Sequence, residues 1–134
     1  MATSEIVYKG DLRTEAKHLQ SGELIITDAP LDNQGKGEAF SPTDLLATSL
    51  GNCMLTIMGI AARGRDIAIE GTKCEVTKIM GTEPRRVVEI DVTFTFPANQ
   101  YTDKEKAILE NAALTCPVYY SLHPDIKKVV LFNY

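Results

Sequence analysis

A run of eighteen residues without a charge, from Leu45 to Ala62, constrains the fold of this chain more than any other feature. It is too long for an ordinary β-strand and just long enough for a helix that spans a membrane. Small and polar residues such as Ser49, Asn52 and Gly59 interrupt the run, and no aromatic residues flank it. The run therefore predicts a long helix in a protein core rather than a membrane span.

The start of this helix is marked by Ser41-Pro42-Thr43-Asp44. Ser41 suits the N-cap, Pro42 suits the first helical position, and the Asp44 carboxylate can reach back to the cap. Apolar residues then cover most of the helix circumference, which predicts an enclosed helix. They form two stripes: Leu46, Leu50, Cys53, Ile57 and Ile60, and Ala47, Met54, Met58 and Ala61.

The rest of the sequence alternates in a way that favours β-strands, followed by shorter helices. A capping box at Thr102-Asp103-Lys104-Glu105 predicts the start of a second helix. The predicted order is strands, a long helix, a strand hairpin, short helices and a final strand, without βαβ alternation. This order predicts an α+β fold in one domain, residues 1–134. The predicted strands are Glu5–Tyr8, Leu12–His18, Glu23–Thr27, Gly71–Ile79, Val88–Phe96 and one within Asp125–Tyr134.

Composition excludes some classes of function. The chain has 14 basic and 18 acidic residues, a net charge of -4, and no cluster of Lys and Arg, so nucleic acid is not an expected ligand. The N-terminal residues lack the pattern of a secretion signal, so we expect a cytoplasmic protein. Its three cysteines would then be reduced, and any disulfide would be transient.

The cysteines are the residues that suggest covalent chemistry. Each has an alternative interpretation as a small core residue, and Cys74, on the apolar face of a strand, is expected to be structural. Cys116 precedes Pro117 at a predicted helix start, where amide groups favour a thiolate, whereas Cys53 in mid-helix has no such help. His123 leaves open a Cys/His hydrolase, although no motif supports it. No metal-binding spacing is present.

Three segments together resemble the OsmC/Ohr family of osmotically inducible and organic hydroperoxide resistance proteins. They are Ser41-Pro42-Thr43-Asp44-Leu45-Leu46, Gly51-Asn52-Cys53-Met54 and Cys116-Pro117-Val118. The resemblance implies an intertwined homodimer of α+β subunits, with antiparallel sheets wrapped around long central helices and active sites at the subunit interface. It also implies a thiol-dependent peroxidase that reduces organic hydroperoxides without metal or other cofactor, and is regenerated by a small dithiol or a protein thiol.

The resemblance further implies roles for individual residues. Cys53 matches the peroxidatic cysteine, Cys116 the resolving cysteine, and Arg13 the arginine that stabilises the thiolate. The peroxidase branches have a glutamate after the proline of the helix-start motif, where this chain has Thr43, with an acid one residue later at Asp44. Thr43 and Asp44 are therefore the candidate supporting residues. The alternative is a divergent member that binds a small apolar ligand and has no peroxidase activity.

Overall fold

The β-strands form two three-stranded sheets, one in each of two compact units of the chain. A computed structural model describes all 134 residues, and the units are Met1–Leu46 and Ala47–Tyr134. The strands are β1 (Ser4–Gly10), β2 (Arg13–His18), β3 (Leu24–Asp28), β4 (Lys73–Gly81), β5 (Arg86–Thr95) and β6 (Lys127–Asn133). The helices are α1 (Pro42–Arg63), α2 (Asp103–Leu114) and α3 (Pro117–Ser121). The predicted α+β class is confirmed.

The first unit is an antiparallel sheet in the order β1-β2-β3, followed by a loop and the start of α1. Gly22 adopts the left-handed backbone conformation, with φ of 82°, in the turn between β2 and β3. This turn fixes a register in which Arg13 lies opposite Asp28. The residues buried in this unit are polar: Thr27, Asp28 and Ser41.

The second unit contains the apolar core. Leu50, Met54 and Met58 of α1 are fully buried in one cluster with alternate residues of β5 and with residues of α2. The contributing residues of β5 and α2 include Ile90, Val92, Phe94, Leu109 and Ala113. Alternate residues from Ile90 to Phe94 are buried, as the sequence pattern predicts. Before them the alternation breaks at a register shift in the pairing with β4, so that Val87 is buried instead of the predicted Val88.

Two features of the fold differ from the sequence expectations. β6 runs parallel to β5 rather than antiparallel, because the chain passes through α2 and α3 before it returns to the sheet. The second sheet is therefore mixed. In addition, α1 is not enclosed within a single chain, since Leu46 is 43% exposed and Ile60 is 58% exposed.

α1 is long and apolar enough to cross a membrane by length and composition alone. One such helix is weak evidence for a membrane span, because the core helix of a soluble protein has the same properties. In this chain the buried face of α1 belongs to the protein core. Packing within the fold thus accounts for one face of the helix.

α1 packs closely against β4 at Gly51. A Cβ at this position would lie 2.9 Å from Val76 Cγ2 and 3.0 Å from Cys74 Sγ, which is closer than such contacts normally allow. A Cβ at Gly59, two turns later on the same helix, would have no other atom within 4 Å. The helix therefore requires glycine at the first of these positions and tolerates a side chain at the second.

The two glycines give a paired test of this packing. Gly59→Ala should raise the free energy of unfolding by roughly 0.5–1 kcal/mol, because alanine favours the helix. Gly51→Ala should be less stable than Gly59→Ala by about 1–3 kcal/mol, the usual cost of overpacking. Urea unfolding followed by circular dichroism measures both values. Equal stabilities for the two variants would contradict the close approach of α1 and β4.

Candidate active site

The thiols of Cys53 and Cys116 meet in the second unit. Cys53 lies in the middle of α1 and is half-buried, whereas Cys116 is the N-cap of α3 and is fully buried. The two side chains are close enough for Cys53 to raise the pKa of Cys116, and both are free thiols. The structure thus brings together two cysteines that are far apart along the sequence.

Local sequence explains the position of Cys116. Pro117 occupies the first position of α3, and the Sγ atom of Cys116 accepts a hydrogen bond from the backbone N–H of Tyr119 at 3.4 Å. The last turns of α2 bury Leu109, Ala112 and Ala113 immediately before this cap. The thiol is therefore held at a helix start, as predicted, but inside the core.

Burial raises the pKa of Cys116 above the ordinary value of 9.0, and the neighbouring Cys53 acts in the same direction. Backbone N–H groups of Tyr119 and Val118 lower this pKa, but their effect is the smaller one. The expectation that the start of α3 makes Cys116 readily ionised is therefore wrong, because desolvation outweighs the amide dipoles. Cys116 remains a protonated thiol at neutral pH, and Cys53 is the thiol that solvent can reach.

Arg13 lies in the first unit, where its guanidinium binds two carboxylates. Nε and Nη2 donate to the two carboxylate oxygens of Asp28 at 2.7 and 2.8 Å, and Nη2 also donates to Glu38 Oε1 at 2.9 Å. The Asp28 side chain is fully buried, that of Glu38 is 65% exposed, and that of Arg13 is 27% exposed. The bidentate pair with Asp28 fixes the plane of the guanidinium.

The arrangement depends on the β2–β3 register and on the loop that follows β3. Asp28 Oδ2 accepts the backbone N–H of Glu38 at 3.1 Å, and the Asp28 N–H donates to the carbonyl of Phe40 at 3.1 Å. Hydrogen bonding to Arg13 lowers the pKa of Asp28 below its ordinary value of 3.8 and raises that of Arg13. Both groups are therefore charged at neutral pH.

Thr43 and Asp44 form the helix cap that the sequence predicts. The Asp44 carboxylate accepts the Ser41 N–H at 3.0 Å, the Asp44 N–H donates to Ser41 Oγ at 3.1 Å, and Thr43 Oγ1 lies 3.3 Å from Ser41 Oγ. The bonds of Arg13 go to Asp28 and Glu38 instead of to either residue.

Sequence reasoning did not single out Asp28 or Glu38. Asp28 could have been found, because a turn at Gly22 brings it opposite Arg13 on the same face of the hairpin. Glu38 lies in a glycine-containing loop whose path has no sequence signal.

The remaining candidates lie apart from the thiol pair. Cys74 is partly buried against the core on β4, and burial raises its pKa, which agrees with a structural role. The His123 side chain is 58% exposed, and its Nδ1 accepts the backbone N–H of Asp125 at 3.0 Å. No hydrogen bond joins His123 to Cys116, so the structure provides no general base for the hydrolase alternative.

The family model for OsmC-like proteins matches residues 35–129 of this chain. The chain belongs to the OsmC family. A solved structure from Psychrobacter arcticus 273-4, provisionally described as an osmotic stress induced and detoxification response protein, is 60% identical. The alignment covers 99% of this chain and 96% of that one, with a TM-score of 0.96. No curated protein matches the chain in sequence.

More distant OsmC-family structures share the fold. The organic hydroperoxide resistance protein OsmC from Legionella pneumophila is 13% identical, with coverage of 100% and 98% and a TM-score of 0.76. A protein from Vibrio cholerae, provisionally described as an organic hydroperoxide resistance protein, was solved with captopril in one of its active sites. It is 14% identical, with coverage of 99% and 92% and a TM-score of 0.75.

The ion pair between Arg13 and Asp28 predicts a specific dependence of stability on pH. A carboxylate whose pKa is lowered by folding stabilises the protein above its unfolded pKa, and this contribution is lost as pH falls through the folded pKa. Asp28→Asn should therefore be less stable than the parent at neutral pH, and the difference should shrink as pH falls below 3.8.

Urea unfolding at a series of pH values from 7 to below 3 measures this difference. Glu23→Gln is the control, because Glu23 is exposed and its side chain makes no hydrogen bond. A difference for Asp28→Asn that stays constant down to the lowest pH would argue against the ion pair as its source.

Proposed function

We propose that this OsmC-family chain is a thiol-dependent peroxidase that reduces organic hydroperoxides to alcohols. The observation that carries the proposal is the proximity of the half-buried thiol of Cys53 to the buried thiol of Cys116. An accessible thiol beside a second thiol that keeps its proton is the arrangement that a two-cysteine peroxide reduction needs. The names of the Legionella and Vibrio structures, which refer to organic hydroperoxide resistance, support the same activity.

The proposed reaction has three steps. The Cys53 thiolate attacks the peroxide oxygen that bears hydrogen, the O–O bond breaks, and the leaving alkoxide takes a proton to give the alcohol. The Cys116 thiol then condenses with the Cys53 sulfenic acid, which forms the disulfide and releases water. An external dithiol, small or on a protein, is oxidised in turn and restores both thiols by exchange.

Arg13 is the proposed source of positive charge for the Cys53 thiolate. The middle of a helix gives this thiol no help from the helix dipole, so an external cation has to stabilise the anion. The fixed guanidinium plane of Arg13 and its partial exposure suit this role.

Apolar neighbours of the thiol pair favour organic hydroperoxides over hydrogen peroxide as substrates. Ile57 lies one helical turn after Cys53, and Tyr119 lies one turn after Cys116; both are partly exposed and pack against the core. Leu46 is exposed on α1 and is a further candidate for this apolar wall. Leu50, on the same apolar stripe of α1, is fully buried and has no surface that a substrate could contact.

We also propose that a second copy of the chain covers the first unit, as in the homodimer that the resemblance to the family implies. Cross-strand pairing places Ile6, Ala16 and Ile25 side by side on one face of the first sheet. Ile6 is 63% exposed and Ile25 is 53% exposed, although a three-stranded sheet needs an apolar face covered to be stable. In the second unit, Ile60 on α1 is a separate exposed apolar residue.

Substitution of each cysteine separates catalysis from a binding role. Cys53→Ser should abolish consumption of cumene hydroperoxide with dithiothreitol as reductant, because burial raises the pKa of the two remaining thiols and keeps them protonated. Pre-reduced Cys116→Ser, freed of dithiothreitol, should consume one equivalent and stop as a Cys53 sulfenic acid, detected with dimedone and mass spectrometry. Cys74→Ser is the matched control and should keep full turnover.

If the unaltered protein consumes no hydroperoxide, the chain is instead the small apolar ligand-binding module that the sequence leaves open. Turnover that survives Cys53→Ser would likewise reject the proposed mechanism.

The proposed dimer predicts a light-scattering mass twice that of one chain. Ile25→Asp should shift the mass toward that of the monomer at micromolar concentration, because a charge would have to be desolvated in the contact. Lys17→Asp, on the opposite face of the same sheet, serves as the comparison and should leave more of the dimer intact. A monomeric parent protein would exclude the dimer.

A further inference from the structure

A lysine lies on the core-facing side of β6 in the second unit. Lys128 pairs in register with Ile90 of β5, which is fully buried, and Val130 and Phe132, on the same side of β6, pack against the core. Lysine is rare on such a face unless its ammonium group has a partner, because the charge loses water there. The partners of Lys128 therefore indicate what this residue does.

The ammonium group of Lys128 is held against α3. Its Nζ atom lies 4.9 Å from the centroid of the Tyr119 ring and donates a hydrogen bond to the backbone carbonyl of Ile126 at 3.2 Å. An aromatic ring attracts a cation that lies over its face, and the attraction is stronger where water is partly excluded. Because Ile126 immediately precedes β6, these contacts link Tyr119 to the second sheet.

Tyr119 is also linked to the thiol of Cys116. Its backbone N–H donates to Cys116 Sγ at 3.4 Å, and Cys116 is the N-cap of α3. α3 has only five residues, Pro117–Ser121, and a helix this short needs contacts with the rest of the fold to be stable. Tyr119 thus contacts the sulfur through its backbone and Lys128 through its ring.

The position of the Cys116 sulfur matters because a disulfide forms only within a narrow range of geometry. Cys53 and Cys116 are free thiols, so their sulfur atoms have to approach each other before a bond can form. A displacement of roughly 1 Å in a reacting group can lower a rate by a large factor. Contacts that hold α3 in place therefore affect how fast the disulfide closes.

We infer that Lys128 is a positioning residue for Cys116. By holding the Tyr119 ring, it keeps α3, and with it the Cys116 sulfur, in the position from which the disulfide with Cys53 closes. The inference rests on the proposed function, in which Cys116 is the resolving thiol. Lys128 acts through Tyr119, so its loss should slow closure of the disulfide and leave the first reaction of Cys53 unchanged.

The test measures disulfide closure directly, with the aromatic disulfide dithiobis(nitrobenzoate) and the reduced full-length protein carrying Cys74→Ser. The Cys53 thiolate attacks the reagent, breaks its S–S bond and releases one thionitrobenzoate anion. The Cys116 thiol then attacks the Cys53 sulfur of the mixed disulfide, loses its proton and releases the second anion. Absorbance follows both releases, and the rate of the second does not depend on the concentration of the reagent.

Lys128→Met should slow the second release about two- to tenfold, because methionine keeps an apolar side chain but removes the cation. Lys128→Arg should restore most of the rate, since a guanidinium also binds an aromatic face. Lys127→Met is the matched control and should leave the rate unchanged. Lys127 faces the other side of β6, where its Nζ lies 3.9 Å from Glu89 Oε1 and its side chain is 71% exposed.

A double substitution shows whether the effect passes through the ring. In a Tyr119→Leu background, Lys128→Met should cause no further slowing. Circular dichroism confirms that each variant is folded, and Lys128→Gln, with the same expected result, replaces Lys128→Met if that variant does not fold. With one equivalent of cumene hydroperoxide and dimedone, Lys128→Met should raise the ratio of Cys53 adduct to disulfide about two- to tenfold.

Four results would overturn the inference: an unchanged or faster second release for Lys128→Met, no restoration by Lys128→Arg, an equal slowing for Lys127→Met, or a full effect without the Tyr119 ring. Failure here is distinct from failure of the proposed function. A second release that depends on Lys128, in a protein that consumes no hydroperoxide, keeps the role of Lys128 and rejects the peroxidase. Turnover that requires Cys53, with a second release indifferent to Lys128, does the reverse.

Discussion

Burial of one face of α1 in the core of the second unit is the constraint on which the cysteine site depends. Leu50, Met54 and Met58 are fully buried there, and each such side chain contributes roughly 1.5–3 kcal/mol by leaving water. Cys53 lies between Leu50 and Met54 in the sequence, so their burial fixes its position along α1 and the direction of its side chain. The same core buries Cys116 at the start of α3, so the packing that stabilises the fold also joins the two thiols.

Competition between burial and dipoles decides how the two cysteines differ. Cys116 has the helix start and the amide donors that favour a thiolate, yet it lies in the core, where loss of solvent favours the neutral thiol. Cys53 has no helix start but keeps access to solvent. One thiol is accessible and its neighbour stays protonated because the two are buried to different extents, which local sequence does not determine.

Local patterns in the sequence predicted the elements well, because caps and alternation are short-range signals. The Ser41–Asp44 cap, the Thr102–Glu105 capping box and the core-facing residues of β5 from Ile90 to Phe94 are confirmed. What the sequence could not supply depends on tertiary packing. The parallel direction of β6, the exposure of Ile60 on α1 and the approach of Glu38 to Arg13 each depend on where distant segments meet.

The contact at Gly51 fixes the rotation of α1 about its own axis as well as its packing against β4. Residues two apart on an α-helix point about 200° away from each other, so the face that presses on β4 lies nearly opposite the face that bears the Cys53 sulfur. Because glycine lets the backbone itself touch the strand, the helix cannot rotate about its axis without losing that fit. Gly51 thus determines the direction in which the Cys53 side chain points from α1.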